Sequence, residues 1–351
     1  MSRQISIFIP RNPLLPVLLM FLITALSASC RKLSSGDRAP DTNAILSPFR
    51  LQTPIPDQAS ITMLSMLIDS RQHKWITYCA LSGLAGIIQF DGNTGQNYPN
   101  ANSSLPLITN GNVIAQTEDA GGAVYFTSNS GDYFQNRLFR YQAGTWEYWD
   151  IAGIPAREVY FNPGDNKLYF VYRDIVHRIA TTADFSRFMD YERVIFDLPD
   201  SPEILQSNFD GKEIHFMSHD RYFVISPDGE VLAYTTPFDD IIFRYMHASD
   251  ASKVYVLGGF DQQHIYKLHE GRWARFPLAN VALRNITVDN DNSIYVITAG
   301  NQPLAGKYEE GNIHIFTYGD ENKQIVSPGP VLVDNQNVKW LAVPEGLLRL
   351  P

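Results

Sequence analysis

The 351-residue chain has very few cysteines and a shortage of positive charge. Its two cysteines, Cys30 and Cys79, exclude a disulfide-rich scaffold. The 28 basic residues stand against 37 acidic ones, giving a formal net charge of −9. This balance argues against nucleic acid or an anionic lipid surface as a partner, because such binding needs clustered Lys and Arg. A glycine-rich phosphate loop and a Gly-x-Ser-x-Gly nucleophile motif are also absent. We predict no cofactor.

The sequence also lacks an apolar run that could span a membrane comfortably. The longest such run covers residues 14–28 and is interrupted at three positions, whereas a spanning helix needs about 20 apolar residues. Arg3 and Arg11 precede the run and give the segment a positively charged start. This arrangement predicts an export signal over residues 1–29.

Small residues directly before Cys30 resemble the lipobox of bacterial lipoproteins, in which that cysteine is lipidated and becomes the new N-terminus. Ordinary signal cleavage is the alternative. The resemblance implies a lipid-anchored protein of the bacterial cell envelope. Because Arg31, and not Asp, follows the cysteine, it favours the outer over the inner membrane. Residues 30–47 then form the lipidated cysteine and a flexible tether, since they are rich in Ser, Pro and Asp.

Seven aromatic residues recur along the rest of the chain at intervals of 39 to 50 residues: Trp75, Tyr125, Tyr169, Phe216, Tyr255, Tyr295 and Trp340. Each follows a turn that contains Asp, and these turns hold Asp69, Asp119, Asp165, Asp210, Asp250, Asp289 and Asp334. Strand-like repeats of this length are typical of β-propellers with four strands to a blade. We therefore predict an all-β fold, a seven-bladed β-propeller over residues 48–351.

A third strand is predicted in every repeat, at residues 87–90, 138–141, 176–179, 222–225, 265–268, 313–316 and 347–350. The last repeat has no fourth strand of its own before Pro351, whereas residues 48–53 have no blade of their own. We expect this N-terminal strand to complete the last blade and so close the ring. The best helical candidate is residues 181–191, as an insertion in the third blade.

Residues 86–92, with the sequence Gly-Ile-Ile-Gln-Phe-Asp-Gly, and residues 102–106, with Asn-Ser-Ser-Leu-Pro, resemble the repeats of two-component-regulator propellers. Residues 340–350 carry a similar pattern. Such propellers are periplasmic sensor modules of bacterial hybrid histidine kinases, and the resemblance implies the propeller fold. We find no kinase-like segment in the sequence, so we do not carry over a signalling role.

Propellers commonly bind ligands at the mouth of the central channel, beside the inner-strand starts and the loops that join second to third strands. In the loops, the predicted ligand-binding residues are Arg173, Asp174, His219, Asp220, Arg221, Phe260 and Asp261. At the inner-strand starts they are Arg157, Arg244 and Arg284. Residues 299–312 form a further predicted loop of the mouth. This mixture of aromatic, cationic and carboxylate groups suits a sugar or a small acid; the alternative is an ordinary charged surface.

Catalytic and metal-binding patterns are weak. His219 and Asp220 could act as a base and its orienting carboxylate, but no nucleophile stands at a recognisable spacing. Residues 289–293 resemble the opening of a calcium loop but lack its central Gly and closing Glu. Cys79 ends an apolar strand and is predicted to be a buried small hydrophobic residue. We predict no catalytic residue and no metal site.

The sequence favours a non-catalytic, envelope-anchored propeller that binds a small ligand, a glycan or a protein partner. We expect a monomer that contacts the membrane only through its N-terminal lipid. Two alternatives stay open: a propeller hydrolase or lyase that acts on a glycan or lactone, and a structural subunit of an envelope assembly.

Overall fold

Thirty β-strands and no α-helix occur in the part of the chain that the computed structural model describes. The described residues are 42–48, 61–80, 85–99, 112–129, 136–151, 153–154, 158–187, 190–196, 198–200, 203–226, 230–236, 243–248, 253–259, 264–277, 281–300, 302–319, 323–325 and 328–351. Within them no helix is long and apolar enough to cross a membrane. Thr42–Pro351 forms one compact unit.

The first three blades are four-stranded sheets whose strands pair in chain order and antiparallel. Blade 1 consists of β2 (Ile61–Ile68), β3 (Lys74–Ala80), β4 (Ala85–Phe90) and β5 (Gly95–Pro99). Blade 2 consists of β6 (Asn112–Glu118), β7 (Val124–Asn129), β8 (Arg137–Gln142) and β9 (Thr145–Asp150). Blade 3 consists of β10 (Glu158–Asn162), β11 (Lys167–Tyr172), β12 (Ile175–Ala180) and β13 (Glu192–Ile195).

The next three blades repeat this arrangement. Blade 4 consists of β14 (Gln206–Phe209), β15 (Ile214–Met217), β16 (Arg221–Ile225) and β17 (Val231–Thr235). Blade 5 consists of β18 (Phe243–Ala248), β19 (Val254–Gly258), β20 (His264–His269) and β21 (Arg272–Pro277). Blade 6 consists of β22 (Leu283–Val288), β23 (Ile294–Thr298), β24 (Ala305–Glu309) and β25 (Asn312–Ile315).

The seventh blade is a six-stranded sheet in the order β27-β26-β1-β30-β29-β28. Its strands are β1 (Asn43–Pro48), β26 (Thr317–Tyr318), β27 (Lys323–Gln324), β28 (Val331–Val333), β29 (Lys339–Val343) and β30 (Gly346–Leu350). β1 pairs antiparallel with β30, from Ile45 opposite Arg349 to Pro48 opposite Gly346. The strand expected to complete this blade was residues 48–53, and residues 49–53 lie outside the described part of the chain.

Apolar clusters between neighbouring blades hold the seven sheets together in a ring. Trp75 of blade 1 meets Phe126 of blade 2 at 5.6 Å between ring centroids, and both side chains are fully buried. A comparable cluster lies at each of the other blade interfaces. One of the seven joins Leu347 of blade 7 to Ile88 of blade 1. Because the last blade packs on the first, the sheets form the predicted seven-bladed ring, and its cohesion comes mainly from buried apolar surface.

The Asp-containing turns explain why the aromatic residues recur. Asp69 lies between the first two strands of blade 1, and its Oδ1 accepts hydrogen bonds from the backbone N of Arg71 and His73. Its Oδ2 accepts one from Trp75 Nε1 at 3.0 Å. Asp119, Asp289 and Asp334 accept equivalent bonds in blades 2, 6 and 7. One carboxylate thus caps the hairpin and orients the buried aromatic ring, which satisfies polar groups that would otherwise be costly to bury.

Two sequence predictions of local structure were wrong. Residues 313–316 were predicted as the third strand of blade 6, but Asn312–Ile315 is its fourth strand and Ala305–Glu309 is the third. The third strand contains Ala, Gly, Lys and Glu, which all have low β-propensity, and therefore resembles a loop in sequence. Residues 181–187 form turns instead of the predicted helix, while residues 188–189 lie outside the described part.

Candidate ligand-binding site at the inner strands

The innermost strand of each blade surrounds the centre of the ring, where propellers have their channel. On β10, the alternation of side chains along a strand places Glu158 and Tyr160 on one side. Val159, between them, packs on the other side into the apolar cluster shared with blade 2. The polar residues of β10 are therefore directed away from blade 2.

Tyr160 connects β10 to blade 4. Its hydroxyl lies 2.5 Å from Glu158 Oε2 and 2.9 Å from the backbone O of Ser207, and its single proton can be donated to either acceptor. Burial raises the pKa of Tyr160 well above its usual range, and the Glu158 carboxylate adds to the increase. Tyr160 is therefore a neutral hydrogen-bond donor at physiological pH, beside a negatively charged neighbour.

Tyr245 on β18 links this pair to blade 6. Asn285 Nδ2 donates a hydrogen bond to Tyr245 Oη at 3.0 Å. Burial raises the pKa of Tyr245, and the charge of Glu158 raises it further, whereas the Arg284 guanidinium acts in the opposite direction. A side chain of blade 5 thus lies within electrostatic range of a carboxylate on blade 3 and a guanidinium on blade 6.

Arg284, on β22, is the cation of this group. Its Nη2 donates to the backbone O of Pro328 at 2.7 Å, and its side chain is exposed to solvent. Surrounding protein atoms partly desolvate the guanidinium and lower the pKa of Arg284, while Tyr245 opposes that effect. We call Glu158, Tyr160, Tyr245, Arg284 and Asn285 the inner-strand cluster. Together they offer one anion, one cation, two phenol hydroxyls and an amide, a set that can bind several polar atoms of a small ligand.

Arg284 is therefore a predicted site residue that the structure places in this cluster. Its four companions, Glu158, Tyr160, Tyr245 and Asn285, were not predicted. A signal for them did exist, because each is one of the first three residues of an inner strand and lies next to a residue directed into an apolar cluster. That signal becomes informative only once it is known which strands are innermost.

The predicted loop residues of blade 3 lie in the turn between β11 and β12. Arg173 has a φ of 55°, and its guanidinium lies 5.3 Å from the ring centroid of Tyr172. The backbone O of Asp174 accepts a hydrogen bond from Phe196 N at 3.0 Å. Since the strands alternate in direction, this turn is at the same end of the blade as the start of β10.

The blade 4 loop is held by a different set of contacts. Arg221 Nη1 lies 2.6 Å from Asp200 Oδ2, and Asp220 accepts a hydrogen bond from Ser218 Oγ at 3.3 Å. The backbone O of His219 accepts a hydrogen bond from Phe243 N at 2.7 Å. Asp220 also lies 3.7 Å from Arg221 Nε, and among the described residues no hydrogen bond joins its carboxylate to the His219 imidazole.

Three other predicted residues, Arg157, Phe260 and Asp261, lie outside the described part of the chain, and so does the side chain of Arg244. Residues 299–312 do not form one loop at the mouth, because β24 occupies 305–309. Glu310 then lies in the next turn, at the opposite end of the blade. Cys79 is half-buried, and not fully buried as predicted.

The calcium-loop candidate is a hairpin cap in the structure. Asp289 Oδ1 accepts hydrogen bonds from the backbone N of Asp291 and Ser293. Its Oδ2 accepts one from the Tyr295 hydroxyl and lies 3.4 Å from Lys339 Nζ. These donors, one of them a cation, occupy the carboxylate that would have to bind calcium.

No protein-family model matches the sequence, and no curated protein matches it. Among solved structures, virginiamycin B lyase from Staphylococcus aureus is 15% identical with a TM-score of 0.59, over 85% of this chain and 97% of that one. YCF48 from Cyanidioschyzon merolae is 10% identical with a TM-score of 0.60, over 85% and 97%.

The extracellular domain of a putative hybrid two-component system from B. thetaiotaomicron is 11% identical with a TM-score of 0.59, over 87% of this chain and 39% of that one. The predicted resemblance to two-component-regulator propellers is therefore confirmed for the fold. The structural similarity establishes the seven-bladed propeller fold. At identities this low, the activity has to be inferred from this chain's own residues.

Proposed function

We propose that this protein is a non-catalytic propeller that binds a small hydroxylated or acidic ligand, such as a sugar or a sugar acid, at the inner-strand cluster. The observation that supports this most strongly is that hydrogen-bonded polar side chains of the inner strands, Tyr160 with Glu158 on blade 3 and Tyr245 of blade 5 with Asn285 of blade 6, are accompanied by the Arg284 guanidinium.

The chemistry of the cluster favours a ligand with both hydroxyl and anionic groups. Arg284 can form a charge-assisted hydrogen bond to a carboxylate, and Glu158 can accept hydrogen bonds from ligand hydroxyls. Tyr160 and Tyr245 add hydroxyls that stay protonated, because burial raises the pKa of both. The non-catalytic part of the proposal is supported by the His219–Asp220 segment, in which the Asp220 carboxylate contacts Ser218 and Arg221 and makes no hydrogen bond to the His219 imidazole among the described residues.

The test is a thermal-shift screen of the purified protein against sugars, sugar acids and other small acids. A ligand at 100 times its dissociation constant stabilises the fold by about 2.7 kcal/mol, which is measurable as a rise in melting temperature. We expect Arg284→Gln and Glu158→Gln to abolish the shift. Arg272→Gln, a change at an exposed arginine of the outer strand β21, is the matched control and should leave it intact.

A shift that persists in both cluster variants would place the ligand elsewhere and contradict the site. Chemical conversion of the bound ligand, followed by NMR, would contradict the non-catalytic part and favour a propeller hydrolase or lyase. If no compound changes the melting temperature and envelope proteins co-purify stably with this protein, the structural-subunit alternative would be favoured.

We also infer that the protein is exported and anchored in the cell envelope through Cys30. This inference rests on the sequence of residues 1–30, which lie outside the described part of the chain. Mass spectrometry of the protein isolated from bacterial membranes should show a lipid-modified N-terminal cysteine, and Cys30→Ala should release the protein into the soluble fraction. An unmodified N-terminus, cleaved after an ordinary signal, would contradict lipid anchoring.

A further inference from the structure

The hairpin turn of blade 4 departs from the turns of blades 1, 2, 6 and 7. In blade 1 the backbone N of Asp69 bonds to the O of His73, four residues later. In blade 4 the backbone N of Asp210 bonds to the O of Glu213, only three residues later. The shorter turn places His215 beside the Asp210 carboxylate, where Trp75 lies beside Asp69 in blade 1. An imidazole therefore replaces an indole at this position.

The shorter turn also gathers three potential ligand atoms. His215 Nε2 lies 3.1 Å from Asp210 Oδ2. Glu213 and His215 are two residues apart along extended chain, so their side chains lie on one side of the hairpin. The carboxylate oxygens of Asp210 and Glu213 and the ring nitrogen of His215 all lie within 4.8 Å of one another.

A second observation concerns the imidazole itself. His215 is completely buried, yet its Nε2 makes no hydrogen bond. Although Asp210 Oδ2 is close, it lies outside the direction in which an N–H could donate. The other ring nitrogen, Nδ1, lies 2.5 Å from the Tyr222 hydroxyl. When Nδ1 donates to Tyr222, Nε2 carries a lone pair and no proton, and this is the form in which histidine binds metal ions.

We propose that Asp210, Glu213 and His215 bind one divalent transition-metal ion, with Zn²⁺ or Mn²⁺ as the best candidates. One imidazole and two carboxylates suit these ions, whose bonds to such ligands are about 2.0–2.2 Å long. Ligand atoms around such an ion are about 3 Å apart, close to the separation between Asp210 Oδ2 and His215 Nε2. The Glu213 side chain is half-buried, and its carboxylate lies within 4.8 Å of the other two ligand atoms. This site is independent of the inner-strand cluster and revises the prediction from sequence that the chain binds no metal.

Isothermal titration of the chelator-treated, full-length protein with Zn²⁺ and with Mn²⁺ tests the proposal. We expect one equivalent to bind and to raise the melting temperature, because a ligand that binds only the folded state stabilises it. Glu213→Gln and His215→Gln should each weaken the affinity by at least about tenfold. The matched control is His73→Gln, which removes a histidine that lies 3.3 Å from Asp69 in the equivalent turn of blade 1. It should leave the affinity unchanged.

Three results would overturn the proposal: no binding of either ion, an affinity that Glu213→Gln leaves within twofold, or an equal loss in His73→Gln. His215→Gln changes a completely buried residue, so its folding is checked by circular dichroism. Should it not fold, Glu213→Gln decides the question alone, because that side chain is only half-buried.

Discussion

Replacement of Asp69 by Ala tests the idea that one buried carboxylate holds each hairpin and its aromatic residue together. The Asp69 side chain is 0% exposed. It accepts hydrogen bonds from the backbone N of Arg71 at 2.9 Å, from the backbone N of His73 at 2.8 Å and from Trp75 Nε1 at 3.0 Å. Trp75 is also fully buried, so water cannot replace the lost acceptor.

The expected loss follows from these three bonds. An unsatisfied buried donor costs about 1–3 kcal/mol, and each of the two turn bonds contributes about 1 kcal/mol, so Asp69→Ala should lower the free energy of unfolding by about 3–5 kcal/mol. At roughly 2 °C per kcal/mol for a domain of this size, the melting temperature should fall by at least about 6 °C. Urea denaturation followed by tryptophan fluorescence measures the free energy directly.

Asp91 provides the matched control, because it also accepts backbone hydrogen bonds, from Asn93 and Thr94, but in an exposed turn. Water can replace the acceptor there, so Asp91→Ala should have a much smaller effect. If Asp69→Ala were no more destabilising than Asp91→Ala, the buried carboxylate would not hold the hairpin together and the reasoning would be refuted.

The Asp69 carboxylate also makes the stability of the fold depend on pH, in a direction that can be predicted. Burial alone would raise the pKa of Asp69, but the hydrogen bonds from Trp75 and His73 and the charges of His73 and Arg71 outweigh burial and lower it below the ordinary value of 3.8. The unfolded chain therefore binds a proton more readily, so the stabilisation is complete above about pH 5 and is lost as the pH falls through the folded-state pKa. The stability difference between the native protein and Asp69→Ala should shrink over that acidic range.

Three further outcomes are expected. Gly86→Ala would place a Cβ 2.5 Å from the hydroxyl oxygen of the buried Tyr78. We therefore expect the free energy of unfolding, measured by urea denaturation, to fall by about 1–3 kcal/mol. An unchanged denaturation midpoint would show that the Tyr78 ring can move aside. Burial raises the pKa of the Cys79 thiol, so its reaction with a disulfide reagent at pH 8 should be slower in the folded than in the unfolded protein, and equal rates would contradict this. Deletion of residues 1–48 removes β1, which pairs with β30, whereas deletion of residues 1–41 leaves β1 in place. The longer deletion should therefore give the lower melting temperature. Equal melting temperatures would mean that β1 adds no stability.

Much of the fold could be predicted because its determinants are local. The Asp69 carboxylate and the Trp75 indole are six residues apart, and the hydrogen bond between them recurs with the same spacing at Asp119 and Asp334. Short-range bonds of this kind produce a periodic pattern in the sequence. The prediction failed at β24, where Gly306 is required because a Cβ there would lie 2.6 Å from Ile313 Cγ2, a contact between two strands that is not visible in either strand alone.

The sequence by itself therefore determined the seven repeats and, in blades 1, 2, 6 and 7, the hairpin turns with their aromatic positions, because each depends on residues close together in the chain. Only the tertiary structure decided which polar residues meet. Glu158, Tyr245 and Arg284 belong to three blades and come together because the ring brings the inner strands around one centre. The direction of His215 Nε2 likewise depends on its packing against Tyr222 of the next strand. Spacing along a chain carries no information about side chains that approach one another only after the ring has formed.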